Sequence, residues 1–152
     1  VREHPPHLLD EQYDIVLASG PLPDSPWRRH KVSLLQHLAV ASPDYLERRG
    51  TPKQPTDLLD HDCLSVRSHQ HSADSWPLRG GSEQAIRPML ISNDLGTVRE
   101  AALAGLGIAL LPFHLCFEDF QRGTLVGPTI GRAAAGSGKP LTLATPWDNS
   151  NE

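Results

Sequence analysis

The sequence predicts an α/β fold in which strands and helices alternate around a mostly parallel sheet. Three observations predict it. Short apolar runs such as Ile108-Ala109-Leu110-Leu111 recur between segments with helical patterning. Ser42-Pro43-Asp44 and Thr97-Val98-Arg99-Glu100 carry the chemistry of helix starts. Glycines and prolines punctuate the boundaries.

The elements follow in order. Tyr13-Asp14-Ile15-Val16-Leu17-Ala18 reads as a buried strand that ends at Ser19-Gly20-Pro21. The proline-rich stretch 21–26 is a loop, because prolines remove donors and block helix. A second strand is expected over about 35–41. Ser42 then caps a helix, with Pro43 at its first position and Asp44 at its positive end. Arg48-Arg49 suits the negative end, and Gly50 stops the helix in a left-handed conformation. Residues 51–55 turn, 56–59 make one helical turn, and 63–66 form a short strand. Residues 67–85 are polar and are expected to form a loop or hairpin with one buried tryptophan, Trp76. Residues 86–91 are extended, with Pro88 indicating an edge or bulged strand. Thr97 to Glu100 matches a capping box, and Ala101, Ala102, Leu103 and Leu106 give that helix its apolar face. Gly105 and Gly107 end it. Residues 108–111 form a buried strand stopped by Pro112, and a helix over about 113–120 ends near Gly123. Residues 131–138 are small and flexible in character, and 140–145 form a last strand. Leu103, Leu106, Ile108 and Leu110 are expected to be buried, and His69 and His71 exposed.

Bulk properties exclude several function classes. The chain has 152 residues, one domain's worth, and its 38% hydrophobic content supports a core. No apolar run approaches the length of a membrane span, and the first residues lack the pattern of a signal peptide. With 14 Lys and Arg against 18 Asp and Glu, the formal charge is −4. A module that grips phosphates should be basic, so this stretch is not expected to bind DNA by itself. Cys63 and Cys116 are the only cysteines and form no CxxC, which fits a reducing compartment and neither a disulfide framework nor a zinc knuckle.

Familiar chemical motifs fail in turn. Gly105-Leu106-Gly107 lacks the third glycine of a dinucleotide fingerprint, since Leu110 stands there, and it closes a helix. Gly138-Lys139 is no phosphate loop, with Ala133 and Pro140 at the positions that need glycine and Ser/Thr. His61-Asp62-Cys63 and His69-Gln70-His71 lack metal-ligand spacing, and no GxSxG occurs. Glu118-Asp119 reads as a solvated helix face. No catalysis, cofactor or metal is expected. What remains is a set of element ends, since ligands of open α/β sheets bind beyond the strands' carboxyl ends. Three stand out: Gly20-Pro21, Ser42-Pro43, and the segment from Asn93-Asp94 to Thr97. Taken singly, each is more simply an ordinary cap or turn.

Together these segments resemble the effector-binding domain of LysR-type transcriptional regulators. The carrying residues are 13–25, then Ala41-Ser42-Pro43-Asp44-Tyr45-Leu46-Glu47-Arg48-Arg49-Gly50-Thr51-Pro52, then 55–64, Asn93-Asp94, and Ala101-Ala102-Leu103-Ala104-Gly105-Leu106-Gly107-Ile108-Ala109-Leu110-Leu111-Pro112. Order and spacing agree over about residues 8–145. The resemblance implies a periplasmic-binding-protein-like (type 2) fold of two lobes with an effector cleft between them. It implies that the fold is truncated here: residues 1–36 a remnant of the first lobe, 37–146 a nearly complete second lobe, 147–152 a frayed end. The strand at 13–18 would then lack its first-lobe partners. It also implies a missing N-terminal winged helix-turn-helix through which the parent contacts DNA, a homo-oligomeric parent in the cytoplasm, and a small-molecule effector as partner, with no membrane. Gly20, Pro21, Ser42, Pro43, Asn93, Asp94 and Thr97 match the family's cleft-lining ends. Arg67, just past the 63–66 strand, could pair with an anionic effector. A transporter's solute-binding protein and a small α/β enzyme are the competing readings.

Overall fold

The structure is a computed structural model and describes residues 15–19, 28–67, 72–78, 82–128 and 136–145. The strands are β1 (Val16–Ser19), β2 (Arg28–Val40), β3 (Cys63–Val66), β4 (Ser75–Pro77), β5 (Glu83–Ala85), β6 (Pro88–Ser92), β7 (Ile108–Pro112) and β8 (Gly136–Thr145). The α-helices are α1 (Pro43–Arg49), α2 (Leu95–Leu103) and α3 (Phe113–Arg122), and a 3₁₀ turn, Pro55–Asp60, precedes β3. Two compact units result: Val1–Leu35 with Lys139–Glu152, and Gln36–Gly138. From Lys139 onward the last strand groups with the first unit.

In the unit Gln36–Gly138 the strand order is β2-β7-β3-β6. β3 runs parallel to β6 and to β7. β2 runs antiparallel to β7, with Val40 opposite Ala109. The sheet is therefore mixed, where a mostly parallel one was expected. The crossover through α2 returns the chain from β6 to β7 in the same sense. No such crossover fixes the sense of β2, which leads straight into α1. Consecutive strand residues feed opposite faces. Ala39, Cys63 and Ile108 join a cluster with Tyr45, Leu58 and Trp76. Their neighbours Val40, Leu64 and Ala109 join one with Val98, Ala102 and Cys116. Burial on both faces is why these strands read as unbroken apolar runs.

Local chemistry sets the helices. The Ser42 hydroxyl accepts from the Tyr45 amide at 3.2 Å, Pro43 opens α1, and the Gly50 amide closes it on Leu46 O at 2.9 Å. The α2 cap differs from expectation. Asp94, not Thr97, is the N-cap, and Glu100 pairs with Arg99 at 2.8 Å instead of reaching back. A reciprocal capping box forms at the 3₁₀ turn, between Gln54 and Asp57. Trp76 is buried on a β4–β5 hairpin, and Pro88 opens the edge strand β6 beside a register shift, as the sequence suggested.

Other expectations need correction. Ile108 is buried and Leu103 and Leu110 are half-buried, but Leu106 is 46% exposed. It follows Gly105, at φ +75°, and so has left the helix's apolar face. Asp119 is not solvated but 3% exposed, held by Arg99. β2 begins at Arg28, before the expected start, and Gly136–Thr145 is strand throughout. In the first unit β1 is not unpartnered: it pairs antiparallel with β8, Val16 opposite Ala144. His69 and His71 lie outside the described residues.

Candidate functional site

Strand register decides which element ends meet. Because β3, β6 and β7 are parallel, their carboxyl ends share one edge. Val66 stands opposite Ser92, and the Arg67 amide donates to Ser92 O at 2.8 Å. Leu64 stands opposite Ala109, so the same register brings Arg67 level with Pro112. β2 runs the other way, with His37 opposite Pro112 and Val40 opposite Ala109. Ser42, two residues beyond Val40, therefore comes level with Gly107 at the amino edge. Five strand residues separate those levels, roughly 16 Å at about 3.3 Å per residue.

The structure accordingly splits the sequence-derived site. Arg67, Asn93, Asp94 and Thr97 gather at the carboxyl edge. Ser42 and Pro43 lie at the opposite edge, where a Cβ on Gly105 would sit 3.3 Å from Ser42 Oγ. The structure does not bring these two to the carboxyl edge, because α1 follows the antiparallel strand β2. Gly20 and Pro21 lie outside the described residues.

At the carboxyl edge the Asp94 amide donates to Ser92 Oγ at 3.1 Å. Asp94 Oδ2 accepts from the Thr97 amide at 2.6 Å and the Thr97 hydroxyl at 2.8 Å. These bonds, the amide's foremost, hold the Asp94 carboxyl below its ordinary value. An ionised carboxylate thus occupies the positive end of α2 and makes that end unfit for a second anion. The start of α3 is different. Pro112 precedes it, carries no capping side chain, and leaves the first-turn amides without a side-chain acceptor. With exposed Arg67 at the same level, the edge offers cationic and amide donors to a carboxylate. The sequence reading placed a helix from about residue 113 behind the strand-ending Pro112 and gave its start no role. The available signal was a helix following a strand directly, with no Ser, Thr, Asp or Asn to cap it.

No group of three or more metal-ligating side chains occurs among the described residues. Burial pushes the Cys63 thiol up to about 12 and the Cys116 thiol up to about 11, so both stay protonated near neutrality. No described helix is long and apolar enough to cross a membrane.

Known proteins give a consistent picture. The family model described as LysR substrate binding domain matches residues 2–144. The HTH-type transcriptional regulator CrgA of Neisseria meningitidis serogroup C (strain 8013) is 30% identical over 122 residues, which is 79% of this chain and 40% of the regulator. The solved regulatory domain of CrgA from Neisseria meningitidis, a LysR-type transcriptional regulator, is similar at a TM-score of 0.75 and 26% identity, over 91% of this chain and 68% of that one. The regulatory domain of AphB in Vibrio vulnificus gives 0.73 and 25%, over 91% and 67%. The chain spans 40%, 32% and 42% of the length of three of the curated regulators it matches.

Proposed function

The chain belongs to the LysR substrate binding domain family, with the periplasmic-binding-protein-like (type 2) fold of LysR regulatory domains, and from that premise we propose that it is the effector-sensing part of a LysR-type transcriptional regulator. In this reading DNA is contacted by a winged helix-turn-helix outside these 152 residues. The whole regulator is a homo-oligomer acting in the cytoplasm, where its DNA is. Gln36–Gly138 serves as the second effector lobe, and the unit containing Val1–Leu35 belongs to the first. Gly20 and Pro21 keep a place in the site by resemblance alone.

One observation carries the ligand reading: Arg67, Asn93, Asp94 and Thr97 stand at the same sheet edge as the uncapped start of α3. Arg67 and the free first-turn amides can hold a carboxylate, while the Asp94 carboxylate opposes a second negative charge. A small monoanionic effector fits best. Binding needs no cofactor, and we assign the domain no catalytic step.

Thermal unfolding of the chain against a panel of small organic acids and their neutral amides tests this. A ligand at a hundredfold excess over its Kd adds about 2.7 kcal/mol of stability. At least one acid is expected to raise the melting temperature, and to do so far less for Arg67→Gln. Equal stabilisation of both proteins would remove Arg67 from the site. No stabilisation by any compound would overturn the sensor reading.

A further inference from the structure

A depression of about 370 Å³ opens at the amino edge of the parallel strands, at the opposite end from Arg67 and Asn93. Met89 and Leu106 line it and are 53% and 46% exposed. Beside them stand two guanidinium groups from the last turn of α1, Arg48 and Arg49. Their electrostatic situations differ. Arg49 Nε lies 3.4 Å from Asp62 Oδ2, and Arg49 Nη2 donates to Asp60 O at 3.2 Å. Tyr45 fixes that carboxylate. The Asp62 amide donates to the Tyr45 hydroxyl oxygen at 2.9 Å, and the hydroxyl lies 3.4 Å from Asp62 Oδ2 and 3.1 Å from His61 Nδ1. Arg48 has no carboxylate partner among the described residues; it donates to Gly105 O at 2.7 Å. Gly105 has φ +75°, and a Cβ there would lie 3.5 Å from Arg48 Nη2.

The outcome is a cation with no carboxylate partner among the described residues, held beside exposed apolar side chains in a concavity of ligand-site size. We propose that this depression is a second small-molecule site, separate from the carboxyl edge, which takes a monocarboxylate with a compact apolar body. The carboxylate pairs with Arg48, whose planar fork matches it, and the body covers Leu106 and Met89. Asp62 sets the charge. One negative charge is matched by Arg48, whereas a second would meet the Asp62 carboxylate.

Benzoate is a suitable probe and benzamide its neutral counterpart. In an NMR titration of the isotopically labelled chain, the amide signals of Arg48, Gly105 and Leu106 are expected to move saturably with benzoate and not with benzamide. Arg48→Gln is expected to weaken binding about tenfold or more. Met89→Ser should weaken it while preserving the preference for the acid. Equal responses to the two probes, no saturation, or unchanged affinity in Arg48→Gln would overturn the second site. So would shifts confined to Arg67 and Asn93, which would assign benzoate to the carboxyl edge. If Arg48→Gln does not fold, the contrast between the two probes on the unaltered chain decides.

Discussion

Arg99 and Asp119 join α2 to α3 through two parallel hydrogen bonds, Nε to Oδ2 at 2.7 Å and Nη2 to Oδ1 at 2.8 Å. The carboxylate is almost wholly buried, and the Thr124 hydroxyl also donates to Oδ1 at 3.4 Å. Removing one partner of such a pair strands a buried charge, which costs about 3–5 kcal/mol. Arg99→Leu is therefore expected to lower the urea midpoint strongly. The double variant Arg99→Leu with Asp119→Leu should recover much of the loss, because no charge is left unpaired. A double variant no more stable than Arg99→Leu alone would show that the pair matters through packing and not through charge.

Acid should destabilise the domain through its capping carboxylates. Asp94 is held below its ordinary value of 3.8 first by the Thr97 amide. Asp57 is held below the same value first by the Lys53 amide, whose N–H it accepts at 2.9 Å. A carboxyl with a lower pKa in the folded chain binds fewer protons there than in the unfolded chain. Its stabilisation is present above 3.8 and is lost as pH falls through the depressed folded value. The urea midpoint should therefore drop as pH falls below that level. Asp94→Asn separates charge from cap, since asparagine caps well. It should keep most of the stability at neutral pH and flatten the acid slope. An acid slope unchanged in both Asp94→Asn and Asp57→Asn would place the acid sensitivity elsewhere.

How legible these features were depends on how local their causes are. α1 is readable because Ser42, Pro43 and Gly50 act on their own backbone. α2 misleads by three residues, since Asp94 and Thr97 are both good caps and only the chain path before Leu95 selects between them. The burial of Asp119 is invisible in the sequence, because its partner lies 20 positions away on another helix. So is the separation of Ser42 from Arg67. Both end a strand, and only the antiparallel sense of β2 sends them to opposite edges. The α3 helix was readable from about residue 113, but its uncapped start drew no notice, because a missing cap looks like no signal at all.

Both thiols should be inert in the folded protein. Cys63 and Cys116 are fully buried, in clusters on opposite faces of the sheet, with values near 12 and 11. A disulfide-exchange reagent at neutral pH should label neither until urea unfolds the chain. The raised values also predict alkaline behaviour. Above the ordinary thiol value of 9.0 the unfolded chain releases protons that the folded chain retains, so stability should fall as pH rises from there toward 12. Rapid labelling of the native chain would mean that one of the clusters opens locally.

Hydrogen exchange should rank the strands by how many neighbours each has. β7 lies between β2 and β3, and Ile108, Ala109 and Leu111 are fully buried, so its amides should exchange only through near-global unfolding. Among the described residues β1 ends its strand order and pairs only with β8. Val16 is buried, but Ile15 and Leu17 are 61% and 59% exposed. An edge strand with apolar side chains in water is an association hazard and is opened cheaply. The amides of Val16–Ser19 should exchange much faster than those of β7, or be protected only as the protein associates at high concentration. Leu17→Lys places a charge on that exposed position and should suppress concentration-dependent association in sedimentation without slowing exchange in β7. If β1 in a monodisperse monomer proves as protected as β7, its one-sided pairing is sufficient and the first unit needs no further cover.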